Sequence, residues 1–267
     1  MCHDKPSART AAGAGAAPRT GRRLGAMTWR DVRAALDSGC DRVVVPLGAV
    51  EQHGCHLPLE TDALLGDHLG PLLAGRLGAL CAPTIRIGCS EHHMGRAGTL
   101  SLRPATLQLI VRDLVDSLAR HGFRTIVFLP THAGNAAPLA HAARVVEPPP
   151  GVRIAAVTDM QALACALYAA RGGRRLTLAE AIAHAGEIET SLMLALNPAT
   201  VKALSDQAAD RTGSGKQSAE RSAAASPPSS STATRAMEAA GRCYVAAFLA
   251  ESVRQLETQG VVPCACA

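Results

Sequence analysis

The sequence predicts an α/β fold in which a mostly parallel sheet is covered by helices on both faces. Two observations lead to this prediction. Short runs rich in β-branched residues alternate with helical stretches along the chain, as in successive strand–helix–strand units. The chain has 267 residues, of which 48% are hydrophobic, so it has enough apolar material for one large core or two smaller ones.

A helix start and a buried strand open the folded part of the chain. Thr28, with Asp31 three residues later, has the pattern of a helix N-terminal cap. The β-branched run that follows ends in Pro and Gly and predicts a buried strand at residues 42–48. Further strands are predicted at residues 82–88, 125–129 and 152–157.

The clearest helix is an amphipathic one at residues 104–121, which begins with Pro104 and ends at Gly122. Other helices are predicted at residues 62–78 (interrupted or bent near Pro71), about 135–146, 176–185, 186–196 and about 235–258. In a parallel sheet, ligands bind at the carboxyl ends of the strands. Polar residues that directly follow a strand are therefore the candidates for a functional site.

A single domain is predicted at residues 27–258, flanked by segments without regular structure. Residues 1–26 lack apolar periodicity and are expected to be a disordered basic extension without the apolar stretch of a secretory signal. Residues 207–234 are small and polar, which predicts a mobile surface loop. Residues 259–267 are expected to be a C-terminal tail.

Composition excludes several classes of function. Aromatic residues make up 2% of the chain, so base stacking on aromatic side chains is not expected. Much of the net charge of +5 lies before Met27, which indicates a basic tail and not a nucleic-acid-binding face. No apolar run reaches the roughly 18 residues of a membrane-spanning helix. The nine cysteines are odd in number and lack metal-site spacing, which favours reduced thiols and a cytoplasmic location.

The densest polar cluster follows the first strand, between Glu51 and Asp62, and holds three acids and two histidines in twelve residues. Carboxylates and imidazoles together suit Zn, Mn or Fe(II). In an extended segment Glu51 and His53 point to the same side. Asp62 lies just before a helix, where its carboxylate is stabilised and is placed to bridge two ions. A polar turn with a capping Asp is the structural alternative.

Two further clusters follow the second and third strands. His132 would meet the first cluster if the first and third strands are neighbours, and Asn135 is a candidate helix cap. After the second strand, the paired His92 and His93 are candidates to hold substrate. For both clusters an ordinary polar loop is the alternative.

The last cluster is predicted to lie on a helix at residues 184–191. There His184 and the two acids Glu187 and Glu189, beside a metal, would supply a proton donor and a ligand or an orienting group. A solvated helix start is the alternative.

Taken together, these motifs resemble the creatininase family over residues 27–258. The resemblance is carried by PLGAVEQHGCHLPLETD at 46–62, GCSEHHMGRAGTLSL at 88–102, THAGN at 131–135 and HAGEIETSLMLALNPATV at 184–201. It implies a creatininase-like three-layer α/β/α sandwich with a mostly parallel central sheet. It also implies metal-dependent hydrolysis of amide bonds and a homo-oligomer, since many members are hexamers.

The resemblance further implies a centre with two divalent ions per subunit, which would be Zn, Mn or Fe. One ion would be held by Glu51, Asp62 and His132. The other would be held by His53 and Asp62, so that Asp62 bridges the two ions.

His184 corresponds to the catalytic histidine of the family, and Glu189 to an acid of the same site, expected to act in catalysis and as a metal ligand. Creatinine-hydrolysing members carry a Glu two residues after the third-strand His, and also pocket tryptophans. This chain has Gly134 at that position, and its single tryptophan is Trp29. Creatinine is therefore a poor candidate substrate, and the missing carboxylate is expected from Glu189 or Glu187; otherwise the second metal site is weak or absent.

The predicted function is that of a metal-dependent amidohydrolase that cleaves a C–N bond of a small cyclic amide, lactam or formamide. Divalent ions would lower the pKa of a bound water to about 7 and so provide hydroxide, and His184 would protonate the leaving nitrogen. Two alternatives stay open: a peptidase that trims a peptide-derived cofactor precursor, and a metal-binding scaffold without catalysis. The expected partner is a small-molecule amide, and neither nucleic acid nor a membrane.

Overall fold

A computed structural model describes residues 20–170, 183–202 and 231–263. In these ranges a four-stranded parallel sheet forms the centre, with the strand order β2-β1-β3-β4. Its strands are β1 (Arg42–Leu47), β2 (Leu80–Cys81), β3 (Thr125–Pro130) and β4 (Arg153–Ala156). The predicted parallel sheet is confirmed.

Seven α-helices accompany these strands in the described ranges. They are α1 (Trp29–Asp37), α2 (Thr61–Leu77), α3 (Pro104–His121), α4 (Ala136–Val145), α5 (Met160–Ala170), α6 (Glu187–Leu196) and α7 (Ser231–Thr258). The predicted cap of α1 is confirmed, because Thr28 and Asp31 form a reciprocal capping box. α3 also begins at Pro104 as predicted, and Gly122 ends it in the left-handed conformation, with φ 110°. None of these helices has both the length and the apolar composition that crossing a bilayer requires.

The side chains of each strand alternate between two apolar cores. Val44 belongs to the core that includes Leu73 of α2 and Leu192 of α6, together with residues of α5 and α7. Val43 and Val45 point to the opposite face, into the core formed with α1, α3 and α4. Helices thus cover both faces, which gives the expected three-layer α/β/α sandwich.

The pairing of β1 with β3 positions the polar loops. The two strands run in register from Arg42, opposite Thr125, to Leu47, opposite Pro130. Because both strands end at the same level, the loops that follow them leave the sheet side by side. Asn135 ties these loops to a third: its side-chain carbonyl accepts the Cys89 N–H at 2.9 Å, and its amide donates to the Gly48 carbonyl oxygen at 2.9 Å.

Several local predictions are wrong. Asn135 does not cap α4 through its side chain, which is used between loops instead. The predicted strand at 82–88 is replaced by the shorter β2, and the later part contributes one bridge between Ile85 and Leu47. Pro83 has no N–H to donate, so the ladder cannot continue through it. Of the interruption or bend predicted near Pro71, the interruption is not found, because α2 is continuous through that residue. Helix α5 was not predicted.

The chain ends differ in part from expectation. Residues 20–26, predicted as disordered, pack along α2 and β2: the Gly21 N–H donates to the Pro71 carbonyl oxygen at 2.7 Å, and Arg23 bridges Cys81. Within the described residues the last helix spans Ser231–Thr258, so residues 231–234, predicted as the end of the loop 207–234, are helical. The described ranges leave out residues 1–19, 171–182, 203–230 and 264–267, where most of the predicted extension, helix 176–185, loop 207–234 and part of the tail lie.

Candidate metal centre

The loop after β1 turns two polar side chains into the protein interior. Glu51 and His53 are both fully buried. The Nδ1 of His53 donates to the Glu51 backbone carbonyl oxygen at 3.1 Å. Gly54 then reverses the chain with a φ of 65°, a conformation that glycine adopts readily.

Asp62 lies at the centre of the cluster, between two histidines. It is the second residue of α2, where the N-terminal end of the helix stabilises a negative charge. Its Oδ1 lies 3.5 Å from the Nε2 of His53, and its Oδ2 lies 3.1 Å from the Nδ1 of His132. The loops after β1 and β3 therefore meet at Asp62, as expected for neighbouring strands.

Glu51 lies among three imidazole nitrogens. Its Oε1 is 3.3 Å from the Nδ1 of His132, 3.6 Å from the Nε2 of His93 and 3.6 Å from the Nδ1 of His184. No hydrogen bond from the described residues reaches either oxygen of this buried carboxylate. A buried carboxylate without partners is costly unless a positive charge lies close to it, so this arrangement fits a divalent cation.

The two acids of α6 point in different directions. The Oε2 of Glu189 lies 3.9 Å from the Nε2 of His53, and the ligand atoms of Glu189, His53 and Asp62 all lie within 4.8 Å of one another. Glu187 instead accepts a hydrogen bond from the Tyr244 hydroxyl at 3.1 Å, on the side of α7. Of the two carboxylates considered for the second metal, the structure brings Glu189 to the cluster.

His184 lies in a turn before α6 and not on a helix, which corrects the prediction. The helix begins only at Glu187, and Ala185 in between has a φ of 55°. The Nε2 of His184 donates to the Gln52 backbone carbonyl oxygen, which leaves Nδ1 directed at Glu51. Its side chain is 29% exposed, so this histidine reaches both the buried cluster and solvent.

His93 contributes more to the cluster than the sequence indicated. It was considered as a group that holds substrate, yet it is buried beside Glu51, and its ring stacks on that of His184 with centroids 4.2 Å apart. The neighbouring His92 is exposed and stacks on His132 at 5.9 Å. Both follow the segment after β2, so three loops of one sheet edge contribute histidines.

The charges of the cluster shift its pKa values. Burial lowers the pKa of His53, but the hydrogen bond with Asp62 and the charges of Asp62 and Glu189 outweigh this and raise it to about 9. Burial also lowers the pKa of His132, and the hydrogen bond with Asp62 again raises it above its usual value. For Asp62, burial raises the pKa, and the hydrogen bonds with both histidines lower it to a net decrease. The raised pKa values of His53 and His132 thus have one neighbour in common, the carboxylate of Asp62.

The orientation of His132 depends on its second ring nitrogen and on the absence of a side chain at Gly134. The Nε2 of His132 donates to the Cys89 carbonyl oxygen at 3.1 Å, which is the kind of backbone contact that orients metal-binding histidines. A Cβ at Gly134 would lie 2.3 Å from this Nε2 and 2.6 Å from the Cys89 oxygen. The glycine thus leaves room for the hydrogen bond, and this backbone could not place a Glu there unchanged.

Comparisons with known proteins agree with the motifs. The profile of a family described as Creatininase: Creatinine amidohydrolase matches residues 25–256. The creatinine amidohydrolase of Pseudomonas putida is 30% identical over 188 residues, a match that covers 66% of this chain and 72% of that protein. The mycofactocin precursor peptide peptidase of Mycolicibacterium smegmatis is 32% identical over 183 residues, covering 66% of this chain and 64% of that protein.

Solved structures share the fold. One described as Creatininase Mn has a TM-score of 0.67 and 23% identity, and the match covers 90% of this chain and 98% of that one. A creatininase mutant of Zn-Zn type has a TM-score of 0.64 and 23% identity, with 86% of this chain and 96% of that one covered. The chain therefore belongs to the creatininase family of metal-dependent amidohydrolases.

Proposed function

We propose that the cluster binds two divalent ions and that the enzyme hydrolyses a C–N bond of a small cyclic amide, lactam or formamide. The observation that carries the proposal is the position of Asp62, which presents one oxygen to His132 and the other to His53. This geometry favours a carboxylate shared by two ions. Zn, Mn and Fe all suit the oxygen and nitrogen donors, and related creatininase structures are described as Mn and Zn-Zn forms.

Each ion would have three protein ligands. Glu51, Asp62 and His132 would hold the first ion. Asp62, His53 and Glu189 would hold the second. Glu189 would replace the Glu that creatinine-hydrolysing members carry at the position of Gly134. Divalent ions in such a site lower the pKa of water and polarise the carbonyl group of an amide.

His184 and Glu189 are the groups placed to move protons. Both are partly exposed, with 29% and 27% of their side chains accessible, whereas His53 and His132 are buried. We assign His184 as the donor of a proton to the leaving nitrogen. Burial and the charge of Asp62 raise the pKa of Glu189, although His53 and His184 oppose this. We assign Glu189, beside its role as a ligand, as the acceptor of a proton from the attacking water.

A substrate panel tests the proposal. Chelated enzyme is reloaded with Zn, Mn or Fe(II) and assayed by chromatography on lactams, cyclic amides and formamides, with creatinine as the expected poor substrate. We expect at least one compound to be cleaved, with activity lost on chelation and restored by metal. Bound metal without turnover of any amide would instead favour the non-catalytic scaffold.

A peptide substrate is the second candidate, because the chain matches mycofactocin precursor peptide peptidases at 32% identity. The same assay distinguishes the two functions if it includes a peptide that ends in aromatic residues. Cleavage of the peptide, with no turnover of the small amides, would assign the chain to the peptidase branch. Cleavage of a small amide alone would assign it to the first function.

Assembly and location are also part of the proposal. We propose a homo-oligomer, a hexamer by family resemblance, and light scattering should then give about six times the 27.5 kDa of one chain. We also propose a cytoplasmic location. It is supported by the nine cysteines, which are odd in number and lack metal-site spacing, and it is tested by cell fractionation.

A further inference from the structure

A cavity of about 210 Å³ lies beside the metal centre, on the side of the sheet covered by α5, α6 and α7. Its wall is mainly apolar and includes Met160, Leu163, Leu167, Ile188, Leu192 and Phe248. Glu189 is the one residue with an ionisable side chain among those described as lining it. The cavity is therefore an apolar space with a single polar corner.

That polar corner is shared with the metal centre. Thr131 and Ala133, which line the cavity, flank His132 in the chain, and Ile188 precedes Glu189. The segments around His132 and Glu189 therefore carry proposed metal ligands and also form part of the cavity wall. A molecule whose amide group lies at the metal centre would have its neighbouring atoms at the mouth of this cavity.

Size and polarity limit what the cavity accepts. A dry apolar cavity of about 150 Å³ is known to bind benzene, so this one has room for a group of isobutyl to phenyl size. It is smaller than the roughly 300–1,000 Å³ of sites that enclose a whole drug-sized ligand. A charged group of either sign would lose its hydration against this apolar wall.

We infer that the substrate carries an uncharged apolar group of isobutyl to phenyl size next to the amide bond that is cleaved, and that this group fills the cavity. The inference rests on the proposed function, because it requires the amide bond to lie at the metal centre. Met160 and Leu163 at the start of α5, with Phe248 of α7, are then specificity-determining residues. A compact polar amide would leave the cavity unfilled.

Binding of hydroxamic acids tests this inference without turnover. The hydroxamate group chelates divalent metals, so it fixes one end of each probe at the metal centre. Calorimetry on the metal-loaded enzyme compares acetohydroxamate with isovalero-, phenylaceto- and glycine hydroxamate, the last of which carries an ammonium group. We expect the isovaleryl and phenylacetyl probes to bind on the order of tenfold more tightly than acetohydroxamate, and glycine hydroxamate to bind no better than acetohydroxamate.

Two variants locate the effect in the cavity. Ala164→Leu fills part of the space, since Ala164 lines the cavity on α5, and should reduce the preference for phenylacetohydroxamate to less than about threefold. Ala169→Leu on the exposed face of the same helix is the matched control and should keep the full preference. If Ala164→Leu does not fold, Met160→Ala enlarges the cavity and should favour naphthylacetohydroxamate over the phenyl probe relative to the wild type.

The possible outcomes distinguish a failure of this inference from a failure of the proposed function. If acetohydroxamate binds and the apolar tails add no affinity, the cavity is not a substrate site and this inference is wrong. A preference that survives in Ala164→Leu also contradicts it. If no hydroxamate binds to the metal-loaded protein, the proposed function fails and the inference fails with it.

Discussion

Replacing Gly134 by alanine is a small change with a large expected effect on metal binding. The added Cβ would lie 2.3 Å from the Nε2 of His132 and 2.6 Å from the Cys89 carbonyl oxygen, whereas ordinary contact begins at 3.4 Å. The Cys89 oxygen belongs to the backbone and moves less easily than a side chain. The His132 ring therefore has to move away from the added Cβ by about 1 Å, from 2.3 Å to the contact distance of 3.4 Å. This retreat breaks the 3.1 Å hydrogen bond that orients the ring.

The movement of the His132 ring should weaken metal binding, and the crowding should lower the free energy of unfolding. The Nδ1 of His132 leaves its position 3.1 Å from Asp62 and 3.3 Å from Glu51. Loss of the group that orients a metal-binding histidine typically lowers metal affinity by about 10–100-fold. Crowding the packed loop should also lower the free energy of unfolding of the metal-free protein by about 1–3 kcal/mol.

The assay is a competition titration with a chromogenic chelator, on chelated protein that receives Zn or Mn. Gly95→Ala is the matched control, because a Cβ at Gly95 meets no atom within 4 Å. We expect Gly134→Ala to bind metal at least tenfold more weakly than either the wild type or the control. Equal dissociation constants for all three proteins would refute the role given to His132 and its hydrogen bond.

Three further predictions concern single side chains. Asp62→Asn should abolish turnover and lower bound metal measured by mass spectrometry, whereas Asp67→Asn on the same helix should keep both; full metal in Asp62→Asn would exclude the shared carboxylate. His184→Gln should lower kcat by about 10²–10⁴-fold with metal content unchanged, and equal losses of metal and activity would make His184 a ligand instead. In the metal-free protein the pKa of His53 rises from 6.5 to about 9, so its protonated form stabilises the fold fully below pH 6.5, and this is lost as the pH passes through 9. Denaturant titrations should show that fall, about 3 kcal/mol, in the wild type and a smaller one in His53→Gln.

Features that depend on a few neighbouring residues could be predicted from the sequence. The capping box of Thr28 and Asp31 needs only those two residues, and α3 ends where Gly122 accepts a positive φ. The alternation of strands and helices also predicted a parallel sheet, since parallel strands need long connections between them. The register that places Leu47 opposite Pro130 required the structure.

The composition of the polar cluster could be predicted, but not its internal contacts. His132 approaches Asp62 because β1 and β3 are neighbours. The sequence alone did not establish that these two strands are adjacent, so this contact was predicted only if they were. The choice between Glu187 and Glu189 depends on where α6 begins and on a hydroxyl from the distant Tyr244. The burial of His93 depends on the fold of its loop, for which the paired histidines gave only a general signal.

Long-range hydrogen bonds explain the wrong local predictions. Asn135 has the residue type of a helix cap, yet Gly48 and Cys89 offer its amide two backbone partners from other loops. Residues 20–26 have the composition of a disordered tail, but their backbone pairs with α2 and β2. In both cases the partner lies far away in the sequence, so local composition could not reveal it.

Anomalous diffraction from crystals of the Mn- or Zn-loaded enzyme shows whether acids and histidines from separate loops of one sheet edge hold two divalent ions. We predict two anomalous peaks per chain, one in contact with Glu51, Asp62 and His132 and the other with His53, Asp62 and Glu189. Peaks elsewhere in the protein, or a single peak that does not contact Asp62, would contradict it.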